Sequence, residues 1–319
     1  MRDSVQSNRT RIAAVDAARG AALVGMAVYH LSWDLAYFGL AAPTLPVTPL
    51  MRLFSHVVAG AFLALVGVSL VLAHRDAFDR RTYQRRLTIV CGAAALVTIA
   101  SRILAPGETI YFGILHCIAL ASLLAAPLLQ APIAVAFAAA AFAFIAPFVF
   151  ANPGFNTPAI VWLGLDTVPP NTLDWRPLAP WSGFVFLGLA IARLSWLPLT
   201  QSSFARWRPS SFFPRALAWS GRHSLAIYLI HQPVLFALFF AATGFGAPNV
   251  ARDRTNFQSV CLTQCGAGGG TAEHCQRGCQ CVVDELSKAG LEVAFSRADL
   301  DETQHVAFSR IVQGCARLP

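Results

Sequence analysis

Residues 16–34 read DAARGAALVGMAVYHLSWD, an apolar stretch interrupted by Asp16, Arg19, His30 and Asp34. An ionisable group at bilayer depth costs several kcal/mol, so four in one span call for a reason. On a helix turning about 100° per residue, Arg19 and His30 are separated by three turns plus ~20° and share a face, some 16 Å apart along the axis. Asp16 lies one turn before Arg19 and Asp34 one turn after His30. The four make one polar stripe on an otherwise apolar cylinder. Either the helix faces inward and neighbours satisfy the stripe, or a reaction site is built into the membrane.

The chain around it has 319 residues, 56% hydrophobic and 13% charged. Soluble domains carry about 25% charge, so the composition is that of a polytopic membrane protein. A span needs about 20 apolar residues. Seven are predicted, at 15–38, 53–73, 87–105, 110–129, 131–150, 179–199 and 217–243. Between Thr109 and Leu165 there is no Asp, Glu, Lys or Arg at all. The opening MRDSVQSNRTR is polar and lacks a small-residue cleavage site, which predicts a retained anchor rather than a signal peptide. Nucleic acid is excluded as a partner, because no basic stripe with interleaved aromatics occurs outside the membrane flanks.

The basic excess, 24 Lys and Arg against 16 Asp and Glu, is almost all arginine; Lys288 is the sole lysine. Arg2, Arg9 and Arg11 precede the first span, Arg75, Arg80, Arg81, Arg85 and Arg86 lie between spans two and three, and Arg206, Arg208 and Arg215 between six and seven. The alternate loops hold only Arg52, Arg102 and Arg176. By the positive-inside rule the N-terminus is cytoplasmic and the C-terminal tail lies outside. This predicts a multi-pass protein of an inner membrane with a periplasmic tail.

The tail supports that placement. The transmembrane domain is assigned to 1–245 and a small α-helical, cysteine-rich tail to 246–319, which holds Cys261, Cys265, Cys275, Cys279, Cys281 and Cys315. Cysteines four apart share a helical face, and Cys261/Cys265 and Cys275/Cys279 flank the turn GAGGGTA. Antiparallel helices allow the nested pairing Cys261–Cys279 and Cys265–Cys275 most easily, with Cys281 and Cys315 as the third pair. An even cysteine count in an oxidising compartment reads as a disulfide framework. Four-thiolate zinc, with His274 nearby, is the rival. The fold class is therefore an all-α membrane bundle of about seven spans with a disulfide-stapled tail.

Further polar residues sit in apolar surroundings. His116 opens span four, Asp174, Trp175, Arg176 and Trp181 lead into span six, and Arg222, His223, Ser224, Tyr228 and His231 belong to span seven. In the predicted orientation His30, Asp34, His116 and Asp174 fall in the outer half, and Arg19, Arg222 and His223 in the inner half. A lone intramembrane histidine is most often a packing group, and tryptophans at a membrane edge are ordinary belt residues. The His30/Asp34 pair is different, since a carboxylate one turn from an imidazole would orient it and raise its basicity. No phosphate-binding Gly-rich loop with Lys, no His-Glu-x-x-His and no Gly-x-Ser-x-Gly occurs, and no resident metal is expected. Haem between histidines is conceivable, but no spacing demands it.

Four motifs, RIAAVDAARGAALVGMAVYH (11–30), YFGILHCIAL (111–120), LDWRPLAPWSG (173–183) and GRHSLAIYLIHQP (221–233), together resemble the heparan-α-glucosaminide N-acetyltransferase catalytic-domain family. The Arg-x10-His pattern of the first is also similar to the wider transmembrane acyltransferases. The resemblance runs from about Arg11 to Ala242 and leaves out the tail. It implies transfer of an acyl group, most simply acetyl, from cytoplasmic acyl-CoA as co-substrate to a glycan or other envelope acceptor at the outer face. On that reading Arg19, His30 and Asp34 are the catalytic candidates, with His30 either carrying the acyl group or acting as general base. In the eukaryotic enzyme the proposed acetyl-carrying histidine follows the first span, where this chain has AAPTLP. Arg19, Arg85, Arg86 and Arg222 are the candidates for the coenzyme A phosphates. His116, Asp174, Trp181 and His231 are the candidates for the acceptor, Asp174 toward hydroxyls and Trp181 toward a sugar ring.

Two other readings compete. A transporter or proton-coupled carrier would use the same stripe as its route, although no inverted repeat is apparent. A non-catalytic anchor would exist to display the tail. Neither the acceptor nor the oligomeric state is written in the sequence.

Overall fold

The computed structural model describes residues 12–42, 44–74, 78–195, 203–243, 254–291 and 302–316. Arg2, Arg9, Arg11 and Arg75, part of the basic clusters that orient the chain, lie outside them. Among the described residues the protein is helical and holds no strand.

Helix α1 spans Ala13–Tyr37, α2 Pro49–Ala73, α3 Arg80–Leu104, α4 Ile114–Leu128, α5 Ile133–Phe150 and α6 Leu178–Leu194. Two are capped by their own sequence. Thr48 Oγ1 accepts from Met51 N at the start of α2, where Pro49 needs no donor, and Asp79 accepts from the amides of Arg81 and Thr82 at the start of α3. The predicted seventh span divides into α7 (Phe212–Arg222) and α8 (Ser224–Ala242). His223 stands between them at φ −102°, ψ 24°, with its Nδ1–H bonded to the Trp219 carbonyl.

Among the described residues four helices, α2, α3, α5 and α8, are long and apolar enough to cross a membrane. Helices α4 and α6 are apolar but have 15 and 17 residues, about 22–26 Å of helix against a hydrocarbon core of ≈ 30 Å. They are shorter than the 110–129 and 179–199 expected. Residues 110–113 are not helical, with the Phe112 carbonyl accepting from Arg176 N in the loop before α6, and 196–199 fall outside the described residues. Helix α1 has the length of a span but carries the polar stripe.

Side-chain contacts give the helix directions. In α1 and α8, His30 lies against His231, Asp34 bonds Gln232, and Phe38, at the end of α1, stacks on Phe239. The two helices therefore run parallel. So do α4 and α6, where Cys117 meets Pro177 and Leu128 meets Arg193, while α3 and α4 oppose each other through Thr98–His116 and Tyr83–Ser122. The beginning of α1 and the end of α8 consequently lie at opposite ends of the bundle.

Small residues set the closest approaches. A Cβ on Gly20 would overlap the Leu217 carbonyl, and one on Gly221 the Asp16 carbonyl, so α1 and α7 meet backbone to backbone. The core gathers around Leu63, Leu70, Ala121, Ala125, Val185 and Leu189. Outward, α3 and α5 expose Ile103, Leu104, Phe142 and Phe148, an apolar surface suited to lipid.

The tail comprises α9 (Arg254–Ala267), α10 (Ala272–Lys288) and α11 (Glu302–Cys315). Disulfides join Cys261–Cys279 and Cys265–Cys275 across the α9–α10 hairpin and Cys281–Cys315 between α10 and α11. Val282, Leu286 and Leu291 form a separate small core with Phe257, Phe308 and Ile311 packed on it. Helix α9 rests against the turn Leu45–Val47 and α11 against the turn Pro106–Glu108.

Candidate functional site

Each end of the α1 stripe meets its own neighbours. At the lower end Arg19 Nη1 contacts Asp16 Oδ1 at 3.1 Å, and Arg19 Nη2 donates to Ser69 Oγ of α2, which in turn donates to the Leu65 carbonyl. Asp16 is buried beneath the α7 crossing. Arg86, half-buried on α3, lies within Coulombic range of Arg19. The structure thus brings Arg19 and Arg86 together. Arg85 is exposed, and Arg222 donates to the Ala218 carbonyl beside an open groove lined by Phe212, Arg215 and Trp219.

At the upper end the expected His30–Asp34 hydrogen bond is replaced by another arrangement. The Asp34 carboxylate, 3% exposed, accepts from Gln232 Nε2 at 2.9 Å, across to α8. A residue one turn on shares the helix face, but the neighbouring helix supplies a better-directed donor. His30 instead packs edge-on against the His231 ring, centroids 5.0 Å apart. His231 donates Nδ1–H to the Tyr228 carbonyl at 2.7 Å, which leaves Nε2 with its lone pair. Among the described residues, that Nε2, Asp34 Oδ2 and Gln232 Oε1 are all buried without a partner. Three acceptors without donors are costly unless something donates to them.

The rim above is built from the segment before α6. Asp174 Oδ2 accepts from Ile114 N at 2.7 Å and caps α4, in place of the cap side chain that Gly113 lacks. Arg176 donates to Ser55 Oγ at 2.8 Å and lies over the Trp181 ring, 4.7 Å from its centroid. His56 stacks on the same indole at 5.3 Å. Trp181, 6% exposed, is covered by these neighbours, so the face expected to take a sugar ring is occupied. His116 is satisfied at both nitrogens. Nδ1 accepts from Gly113 N at 3.3 Å, and Nε2–H faces Thr98 Oγ1 at 3.1 Å, whose own proton goes to the Ile110 carbonyl. His116 and Asp174 thus hold the rim in shape.

Several participants escaped sequence reading. Gln232 stood in the quoted motif beside His231, and an amide within an apolar span was the signal. Ser69 in GVSLVL and Ser55 gave none, because a serine bonds its own helix as easily as a partner. Among the described residues no cluster of His, Cys, Asp and Glu is arranged to hold a metal ion.

No curated protein and no solved structure matches the chain. A family model described as heparan-alpha-glucosaminide N-acetyltransferase, catalytic, matches residues 11–233, which include Arg19, His30, Asp34, Arg176 and Gln232 and stop before the cysteine tail. With some seven-tenths of its length so matched, the chain belongs to the heparan-alpha-glucosaminide N-acetyltransferase catalytic family.

Proposed function

We propose that the protein moves an acetyl group from acetyl-CoA on the cytoplasmic side to a glycan acceptor at the outer face of an inner membrane. The family implies a membrane N-acetyltransferase, with acetyl-CoA as the co-substrate of related enzymes. The observation that carries the reading is the set of three unpartnered buried acceptors, Asp34 Oδ2, His231 Nε2 and Gln232 Oε1, around the His30 end of the stripe. An acceptor amine or hydroxyl brings the donors that these atoms lack.

In this scheme Arg19, fixed by Asp16 and Ser69, and Arg86 draw the anionic donor to the lower end. His30 takes the proton from the acceptor as its nitrogen or oxygen attacks the thioester carbonyl. The C–S bond breaks, and the departing thiolate receives that proton. Asp34, His231 and Gln232 hold the acceptor at His30 while this happens.

Purified protein in lipid nanodiscs, given labelled acetyl-CoA and envelope glycans, tests it. His30→Ala should lose a factor of about 10²–10⁴ in transfer, the usual contribution of a general base, with expression and insertion intact. Arg19→Ala should raise KM for acetyl-CoA more than it lowers kcat. A folded His30→Ala protein transferring at the wild-type rate would return the stripe to packing.

A further inference from the structure

The cysteine tail lies beyond the family match, which ends at residue 233, so nothing in the family assigns it a role. It is nonetheless seated on the bundle at two points. On one side α9 touches Leu45–Val47, and Gln264 accepts through its carbonyl from Arg52 Nη1 at 3.2 Å. On the other, α11 touches Pro106–Glu108. Both turns belong to the end of the bundle where α1 finishes and α2 and α4 begin, so the tail bridges that end from one rim to the other.

Each anchor is wired to the site. Arg52 lies one turn from Ser55 and His56, and its carbonyl accepts from His56 Nδ1–H at 2.6 Å. Ser55 and His56 contact Arg176 and Trp181 respectively. The 106–108 turn is stitched to the segment bearing Asp174 and Arg176: Asn171 donates to the Gly107 carbonyl, Leu173 N to that of Glu108 and Arg176 N to that of Phe112. Inside the tail, two bridges close the hairpin and the third ties α11 to it, so the anchors belong to one cross-linked body.

We propose that the tail is an acceptor-selecting cap. Seated on both rims, it holds the Asp174–Arg176 segment in place and narrows the way to His30, so that slender acceptors enter and bulky ones are excluded. The inference rests on the acetyltransferase reading for what passes beneath the cap, but not for the existence of the cap.

Two full-chain variants release it by different routes: Arg52→Ala removes a rim anchor, and Cys281→Ser with Cys315→Ser unties α11. Cys117 is the native reporter. It is a free thiol, fully buried, with its Sγ against the Pro177 carbonyl at the foot of the rim segment. Maleimide labelling of Cys117 in nanodiscs, read peptide by peptide against the fully labelled denatured protein, should be roughly fivefold faster in either variant, the effect of loosening one surface anchor. Transfer to a bulky oligosaccharide should rise relative to a monosaccharide, and acetyl-CoA hydrolysis without acceptor should stay unchanged. Unchanged Cys117 labelling in both variants overturns the cap. Faster labelling with an unchanged bulky-to-small ratio overturns the selection. If wild-type protein transfers nothing, the acetyltransferase reading fails, and the labelling arm still decides whether a cap exists.

Discussion

An aspartate that is 3% exposed and accepts a single hydrogen bond has one oxygen unused. The Asp34–Gln232 pair therefore clamps α1 to α8 and leaves one buried acceptor on each residue unused among the described residues. The clamp has a measurable signature. Asp34→Leu should destabilise by about 1–3 kcal/mol, because the Gln232 amide is left buried and unpaired. Adding Gln232→Leu should recover most of that loss, since an apolar pair has nothing to satisfy. Thermal unfolding of the two single variants and the double in detergent gives the coupling, and strictly additive losses would dissociate the pair. The helical spacing made the polar stripe legible, yet its partners were not. Spacing fixes which residues of one helix share a face, but whether Asp34 turns to His30 or to Gln232 depends on a helix 198 positions away in sequence. Asp174 makes the same point, because its capping role depends on a helix start 60 positions earlier.

Among the elements, α1 and α7 meet backbone to backbone, as α2 and α6 do through Gly67 and Gly188. Gly20 and Gly221 let the two backbones touch, and side chains there have no room to move aside, because the neighbours are carbonyl oxygens. Gly20→Leu should abolish the folded, monodisperse protein in size-exclusion chromatography. Gly92→Leu, on the open side of α3 with nothing within 4 Å, should leave the elution profile unchanged. Equal behaviour of the two would mean the approach is not close. Helix existence was readable from the apolar runs, and the long spans end within a few residues of expectation. The predicted span 217–243 ran through the break at His223, although Gly221–Ser224 is a stretch that can open a helix, as it does at Ser224. The cysteine pairing was legible because helical geometry leaves two antiparallel helices few ways to bridge four thiols.

At the scale of the whole molecule, α1 and α8 run parallel, which puts the two ends of the bundle-forming chain at opposite faces. We expect a periplasmic phosphatase fused after the tail to be active and the same enzyme fused ahead of α1 to be silent, with the arginine clusters naming the cytoplasmic side. Activity from both fusions, or from the N-terminal one alone, would reverse that orientation. The parallel pair also has a consequence in time. His30 and Asp34 are made first, and their partners His231 and Gln232 come roughly 200 residues later. At about 5–20 residues per second the interval is on the order of 10–40 s. For all of it the first helix carries a carboxylate whose partner has not yet been made. The helix that bears the polar stripe thus stays incomplete until α8 arrives, and the Asp34–Gln232 clamp cannot close before the membrane domain is nearly finished.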